Sequence, residues 1–161
     1  MRGLTLARLI ALIAPAGLLG GALLSQYVGG LAPCEMCYWQ RWPHAAAIIF
    51  ALFAILLRGG TGGRFFLILS ALFIATSGGI GVFHAGVEYG WWEGLTACST
   101  STAGGSAQDI LNSIMATPLV RCDVPQWTLL GISLAGYNAI LSLGATIAII
   151  MLMTGHKSKV S

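Results

Sequence analysis

Cys34 and Cys37 stand three positions apart in the stretch Pro33-Cys34-Glu35-Met36-Cys37-Tyr38-Trp39-Gln40-Arg41. Two thiols at that spacing can close a small disulfide ring, and such rings are commonly redox-active. Arg41 follows Cys37 by four positions, about one helical turn. A cation there can lower a thiol pKa or stabilise negative charge developing on an electron acceptor. Apolar runs flank the stretch on both sides, and a fixed charge in such a setting is costly unless it is used. The alternative use is modest: an arginine side chain can snorkel to lipid headgroups. Cys98 and Cys122 bring the cysteines to four. An even number permits two disulfides in any of three pairings without proving them.

The elements that must position these thiols are membrane helices. The chain is 57% hydrophobic and 8% charged, against about 25% charged residues in soluble domains. That balance implies an integral membrane protein. The net charge of +3 is too small to point to nucleic acid. Four apolar runs are legible, at about 9–28, 41–57, 65–84 and 127–153, with loops at about 29–40 and 85–126. The expected fold is a single membrane domain over residues 1–161: an all-α integral membrane protein built as a four-helix transmembrane bundle, with a long exoplasmic loop carrying a short amphipathic helix.

The first run resembles a signal sequence, with Arg2 and Arg8 ahead of an apolar core. Its length and Pro33 before Cys34 favour a retained helix. Pro43 suits the first turn of the second run. The glycines of Arg58-Gly59-Gly60-Thr61-Gly62-Gly63-Arg64 lack the Lys-Ser/Thr of a phosphate loop and read as a turn. In the long loop, Ser106-Ala107-Gln108-Asp109 resembles a capping box. Ile110, Leu111, Ile114 and Met115 then share one helical face up to Pro118. Such a helix would lie on the membrane surface or pack onto the loop itself.

Charge gives the orientation. Arg2, Arg8, Arg58, Arg64, Lys157 and Lys159 fall in the termini and the second loop, and Glu35, Glu88, Glu93, Asp109 and Asp123 in the other two loops. The positive-inside rule puts both termini in the cytoplasm and all four cysteines outside. Trp39, Trp42, Trp91, Trp92 and Trp127 fall near that outer boundary, as interfacial aromatics do.

Two inert disulfides are the bland reading. A bridge across the roughly 25-residue Cys98–Cys122 loop would stabilise by a few kcal/mol, whereas the Cys34–Cys37 ring constrains too little chain for that. A Cys₄ zinc site usually pairs two close-spaced knuckles, and only one is present, so no metal is expected. Thiol–disulfide exchange accounts for more: a loop pair takes electrons from a soluble partner and delivers them to the pair at the bilayer. A lipid-soluble quinone is the natural acceptor there. His84, at the end of the third run, sits at the same expected depth and can move a proton or contact the quinone. His44 has no specific argument. Glu35 and Asp123 would raise the pKa of the thiols beside them.

The whole chain resembles the bacterial disulfide bond formation protein B (DsbB) family. The resemblance rests on Cys34-Glu35-Met36-Cys37-Tyr38-Trp39-Gln40-Arg41, on Cys98 with Cys122 in the second outer loop, and on the four-helix layout. Val120-Arg121-Cys122-Asp123-Val124-Pro125-Gln126-Trp127 and Leu134-Ala135-Gly136-Tyr137-Asn138 also look like the family's loop end and last helix. The resemblance implies a protein-dithiol:quinone oxidoreductase of the bacterial inner membrane. It implies that Cys98 is attacked by a reduced DsbA-like periplasmic thioredoxin-fold oxidase. Cys122 would be its partner and exchange with Cys34, and Cys37 would react with ubiquinone or menaquinone. Arg41 and His84 would match the quinone site. One departure is Gln40, where the family pattern leads one to expect an acidic residue before the arginine. A vitamin K epoxide reductase-type enzyme would place its cysteine pairs differently along the helices. A non-enzymatic membrane scaffold would keep its function without Cys37.

Overall fold

The computed structural model describes residues 2–58, 60–94, 106, 108 and 120–155. It is all-helical apart from one short hairpin. The elements are α1 (Arg2–Tyr27), α2 (Glu35–Leu56), α3 (Thr61–Glu88), β1 (Thr128–Leu129), β2 (Ile132–Ser133) and α4 (Leu134–Thr154). Helix α3 packs against α2 and α4, and α1 closes the bundle against the same two helices. Cys98 and the expected amphipathic helix lie outside the described residues, save for Ser106 and Gln108.

The helices pack with their polar side chains inward. Ile13, Leu24, Leu56, Leu72, Ile140 and Met151 are exposed, while Gln40, His44, Ser70, Ser77, His84, Asn138 and Ser142 are buried. Water would reverse that arrangement, and a bilayer favours it. Among the described residues, α1, α3 and α4 are long and apolar enough to cross a membrane. Helix α2 is the exception. It has 22 residues, but Glu35, Gln40, Arg41, Pro43 and His44 all fall in its first half.

Small residues let the helices approach closely. Ala7 and Ala11 of α1, Ala47, Ala51 and Ala54 of α2, and Leu67, Ala71 and Ile74 of α3 form one buried cluster with Ile149 of α4, a composition typical of membrane helix contacts. At Gly81 a Cβ would come within 3.0 Å of the Ala135 carbonyl oxygen, the Ala139 nitrogen and the Asn138 side chain. This glycine sets how near α3 comes to α4.

The helices differ from the expected bounds: α1 begins at Arg2 rather than near residue 9, α3 spans Thr61–Glu88 rather than about 65–84, and two further starts differ for identifiable reasons. The Cys-x-x-Cys belongs to α2 rather than to a preceding loop. Cys34 is the N-cap, and its sulfur accepts a hydrogen bond from the Cys37 N–H, so the helix starts six residues before Arg41. Pro43 therefore lies inside the helix, where it removes a backbone donor. Ser77 of α3 donates to the Gln40 carbonyl at 2.9 Å in that turn. The last helix starts at Leu134 rather than at Trp127. The preceding residues form the hairpin, with Thr128 opposite Ser133 and Leu129 opposite Ile132. Its turn has positive φ at Leu130 and Gly131, as a tight hairpin requires. Ser133 then caps α4, accepting from the Gly136 N–H at 3.1 Å.

Candidate redox site

The end of the bundle opposite the Arg8–Arg58 contact gathers the chemistry. Cys34 caps α2, and Cys37 lies in its first turn. Their sulfurs are 2.8 Å apart. Helix initiation thus places both thiols where the unpaired N–H groups of the first turn point. Cys34 is buried in a cluster with Met36, Val87 and Cys122, against which Cys37, Phe83 and Val120 pack. The described part of the long loop therefore returns Cys122 to the Cys34–Cys37 pair. The Cys34 thiol is held well above its ordinary pKa, chiefly by its hydrogen bond with Cys37 and then by burial.

His84 comes in from α3. Its Nε2 lies 3.5 Å from the Cys34 sulfur and 3.7 Å from Oε1 of Glu88, one turn further on. The ligand atoms of Cys34, Cys37 and His84 lie within 4.8 Å of one another. Two thiolates on one tetrahedral zinc, with bonds of about 2.3 Å, would stand about 3.8 Å apart. The 2.8 Å between these sulfurs does not match that geometry.

Arg41 faces α1 rather than lipid. It donates to the Gln26 side chain and, at 3.1 Å, to the Ala22 carbonyl. Its guanidinium carbon lies 5.2 Å from the centroid of the Tyr38 ring, within cation–π range. On the loop, Arg121 pairs with Asp123 and holds that carboxyl below its ordinary value.

A cavity of about 250 Å³ adjoins the pair. Its walls include Cys34, Cys37, Arg41, His44, His84 and Glu88, and it runs along α1 from Ser25 to Gly17. Three buried polar atoms on these walls have no hydrogen-bond partner: Arg41 Nε, His44 Nδ1 and Glu88 Oε2. Unmet polar atoms of this kind are costly in a protein that holds nothing there. They suit a ligand that is largely apolar and carries a few oxygens, as a quinone does.

The sequence-level reading singled out Cys34, Cys37, Cys122, Arg41 and His84, and the structure brings these five together. It did not single out the functional surroundings. Gln40, noted only as a departure, is buried and bonds His84, Asn138 and the Met36 carbonyl. His44 bonds Asn138 and Ser77. Glu88, read as a loop acid, ends α3 inside the cavity wall. Gln40 and His44 lie four apart on one face of α2, which is the one signal that could have marked them.

Fold and site together define a helical membrane protein that presents a helix-capping thiol pair to an apolar cavity. Comparison with known proteins agrees. The chain belongs to the DsbB family: residues 5–152 match the family described as disulfide bond formation protein DsbB. It is 31% identical to the disulfide bond formation protein B of Aromatoleum aromaticum, over 85% of each chain. It is 28% identical to that of Hahella chejuensis, over 85% of this chain and 86% of the relative. It is also 29% identical to the uncharacterized protein RP370 of Rickettsia prowazekii, over 78% of this chain and 73% of the relative. No solved structure gives a significant match.

Proposed function

We propose that this chain is a membrane thiol:quinone oxidoreductase that reoxidises a DsbA-like periplasmic dithiol oxidase. One observation carries the reading: Cys122 of the long loop shares a buried cluster with Cys34 and Cys37, against a cavity with an unpaired arginine N–H. Exchange between the two pairs needs that proximity.

The steps balance as follows. A Cys98–Cys122 disulfide oxidises the partner's dithiol and becomes two thiols. The Cys122 thiolate attacks Cys34 of the Cys34–Cys37 disulfide and expels Cys37 as thiolate. The Cys98 thiolate then attacks Cys122, restoring the loop disulfide and leaving Cys34 and Cys37 reduced. Ubiquinone or menaquinone in the cavity supplies the acceptor for two electrons and two protons, and the Cys34–Cys37 disulfide re-forms. Arg41 Nε would orient it, with His84 in the cavity wall.

The same reading takes four membrane spans, with both termini cytoplasmic and the cysteines periplasmic in the inner membrane. Its support in α2 is that Gln40 and His44 turn into the bundle, so the polar half of that helix does not face lipid. Tyr27, Trp42, Trp91 and Leu130 are exposed at the cysteine end, as an interfacial belt would be.

The test is quinone reduction by purified protein in detergent, with a reduced thioredoxin-fold partner as donor. Reduction lost in both Cys37→Ser and Cys98→Ser supports the relay. A folded wild type that reduces no quinone with any reduced partner leaves a scaffold with structural thiols instead.

A further inference from the structure

Gln40 has one hydrogen-bonding arrangement open to it. Its Nε2 lies 3.1 Å from the Met36 carbonyl oxygen, and a carbonyl only accepts. The NH₂ group must therefore be on that side, which places the same NH₂ 2.8 Å from His84 Nδ1. The amide is pinned at its other end too, since its oxygen accepts from Asn138 Nδ2 at 2.7 Å. Asn138 is itself pinned, because its Nδ2 also donates to the Ser77 carbonyl at 3.1 Å. Two main-chain carbonyls thus fix both amides.

The consequence passes to the imidazole. A nitrogen that accepts from an NH₂ carries no proton, so neutral His84 is protonated at Nε2. The groups around Nε2 fit a donor: the Cys34 sulfur at 3.5 Å and the Glu88 carboxyl oxygen at 3.7 Å. An N–H donor cannot take a proton from Cys34. When the pair is reduced, the Cys34 S–H has the Cys37 sulfur, 2.8 Å away, as its acceptor.

We infer that Gln40, held by Asn138, is a positioning residue: by keeping the proton on His84 Nε2 it denies Cys34 a base, so the Cys34 proton stays within the pair, shared with the Cys37 sulfur. Each donor in the row strengthens the next. The cavity is lined by Cys37 and Arg41 as well as by Cys34, Gln40, His84 and Asn138 of this row. The inference deepens the proposed thiol chemistry and rests on the pair being redox-active. Its first readout does not.

The experiment uses detergent-solubilised full-length protein labelled with nitrogen-15 histidine, without quinone or partner. The three histidines are assigned by His84→Asn. Wild-type His84 is expected to show a protonated Nε2 and a bare Nδ1. Gln40→Glu, whose carboxylate accepts at Nδ1, is expected to reverse this or protonate both nitrogens. Gln40→Met, which neither donates nor accepts, should give a tautomer mixture and serves if the glutamate variant does not fold. In the second readout the pair is reduced, alkylated with iodoacetamide and located by fragment-ion mass spectrometry. Wild type should label at Cys37 before Cys34, and Gln40→Glu should slow Cys37 about tenfold, equivalent to one pKa unit. A bare Nε2 in wild type overturns the inference. Equal labelling of the two sulfurs, with the expected tautomer, overturns the assignment of the pair's proton to Cys34. Failure of quinone reduction alone would strike the proposed function and leave the tautomer result standing.

Discussion

The two ends of the bundle are built from the same helices and held together differently. Around Ala7, Ala11, Ala47, Ala51, Ala54 and Ala71 the contacts are between small apolar groups, and what holds them is close packing. Around Gln40, His44, Ser77, His84, Asn138 and Ser142 the contacts are hydrogen bonds linking α2, α3 and α4. The packed end can shift slightly without losing its interactions. The bonded end cannot, because its donors and acceptors on three helices are satisfied by one another. The thiol pair sits at the bonded end, where sulfur and imidazole positions are set within narrow limits.

The largest test of this contrast is at the reactive centre. Arg41→Met keeps an unbranched apolar stem but removes its bonds to Gln26 and Ala22 and the unpaired N–H at the cavity wall. Quinone reduction is expected to fall by roughly two orders of magnitude, the scale seen for loss of a preorganised charge-stabilising donor. Steady-state assays over a range of quinone would show it. Asn138→Leu comes next. It strands the Gln40 oxygen and the Ser142 hydroxyl, each costing about 1–3 kcal/mol when buried and unpaired. A thermal-melt series in one detergent should show a marked loss of stability, together with loss of activity.

At the packed end the same kind of disturbance should separate stability from activity. Ala51→Leu overfills the alanine cluster and should cost about 1–3 kcal/mol. The surviving folded protein should keep its turnover within about twofold, as expected for sites that share no partners. Equal losses of activity from Asn138→Leu and Ala51→Leu would erase the distinction between the two ends. The smallest effect belongs to the exposed loop pair. Asp123 titrates below the ordinary aspartate range because of Arg121. Any stability it adds is therefore present above the unfolded pKa and is lost as pH falls through the lower folded value. Arg121→Ala should return the carboxyl titration to the ordinary range, read by NMR, with no measurable change in melting at neutral pH.

Hydropathy located the helices because lipid-facing residues must be apolar wherever they sit. It placed the starts of α1 and α3 several residues late, and it misplaced the other two starts for opposite reasons. At α2 the first turns are polar and inward-facing, so apolar content begins only after the helix does. Before α4, Trp127, Leu129, Leu130 and Ile132 are as apolar as the helix itself, and an apolar run does not distinguish a hairpin from a helical turn. Leu130-Gly131 and the capping Ser133 were the local signs. The reactive residues were legible because Cys-x-x-Cys and a following arginine are local in sequence. Their supports were not, because Gln40, Ser77 and Asn138 come from three helices and meet only after folding.

The cavity that follows α1 from Ser25 to Gly17 covers nine residues, a rise of about 12 Å along the helix. In the proposed membrane placement it reaches well below the headgroups. A molecule that fits it is a solute of the bilayer, and its dose is counted per lipid rather than per litre. Diluting the detergent phase should then raise the total quinone needed for half-maximal rate in proportion to the added detergent, while half-saturation expressed as quinone per detergent molecule stays constant.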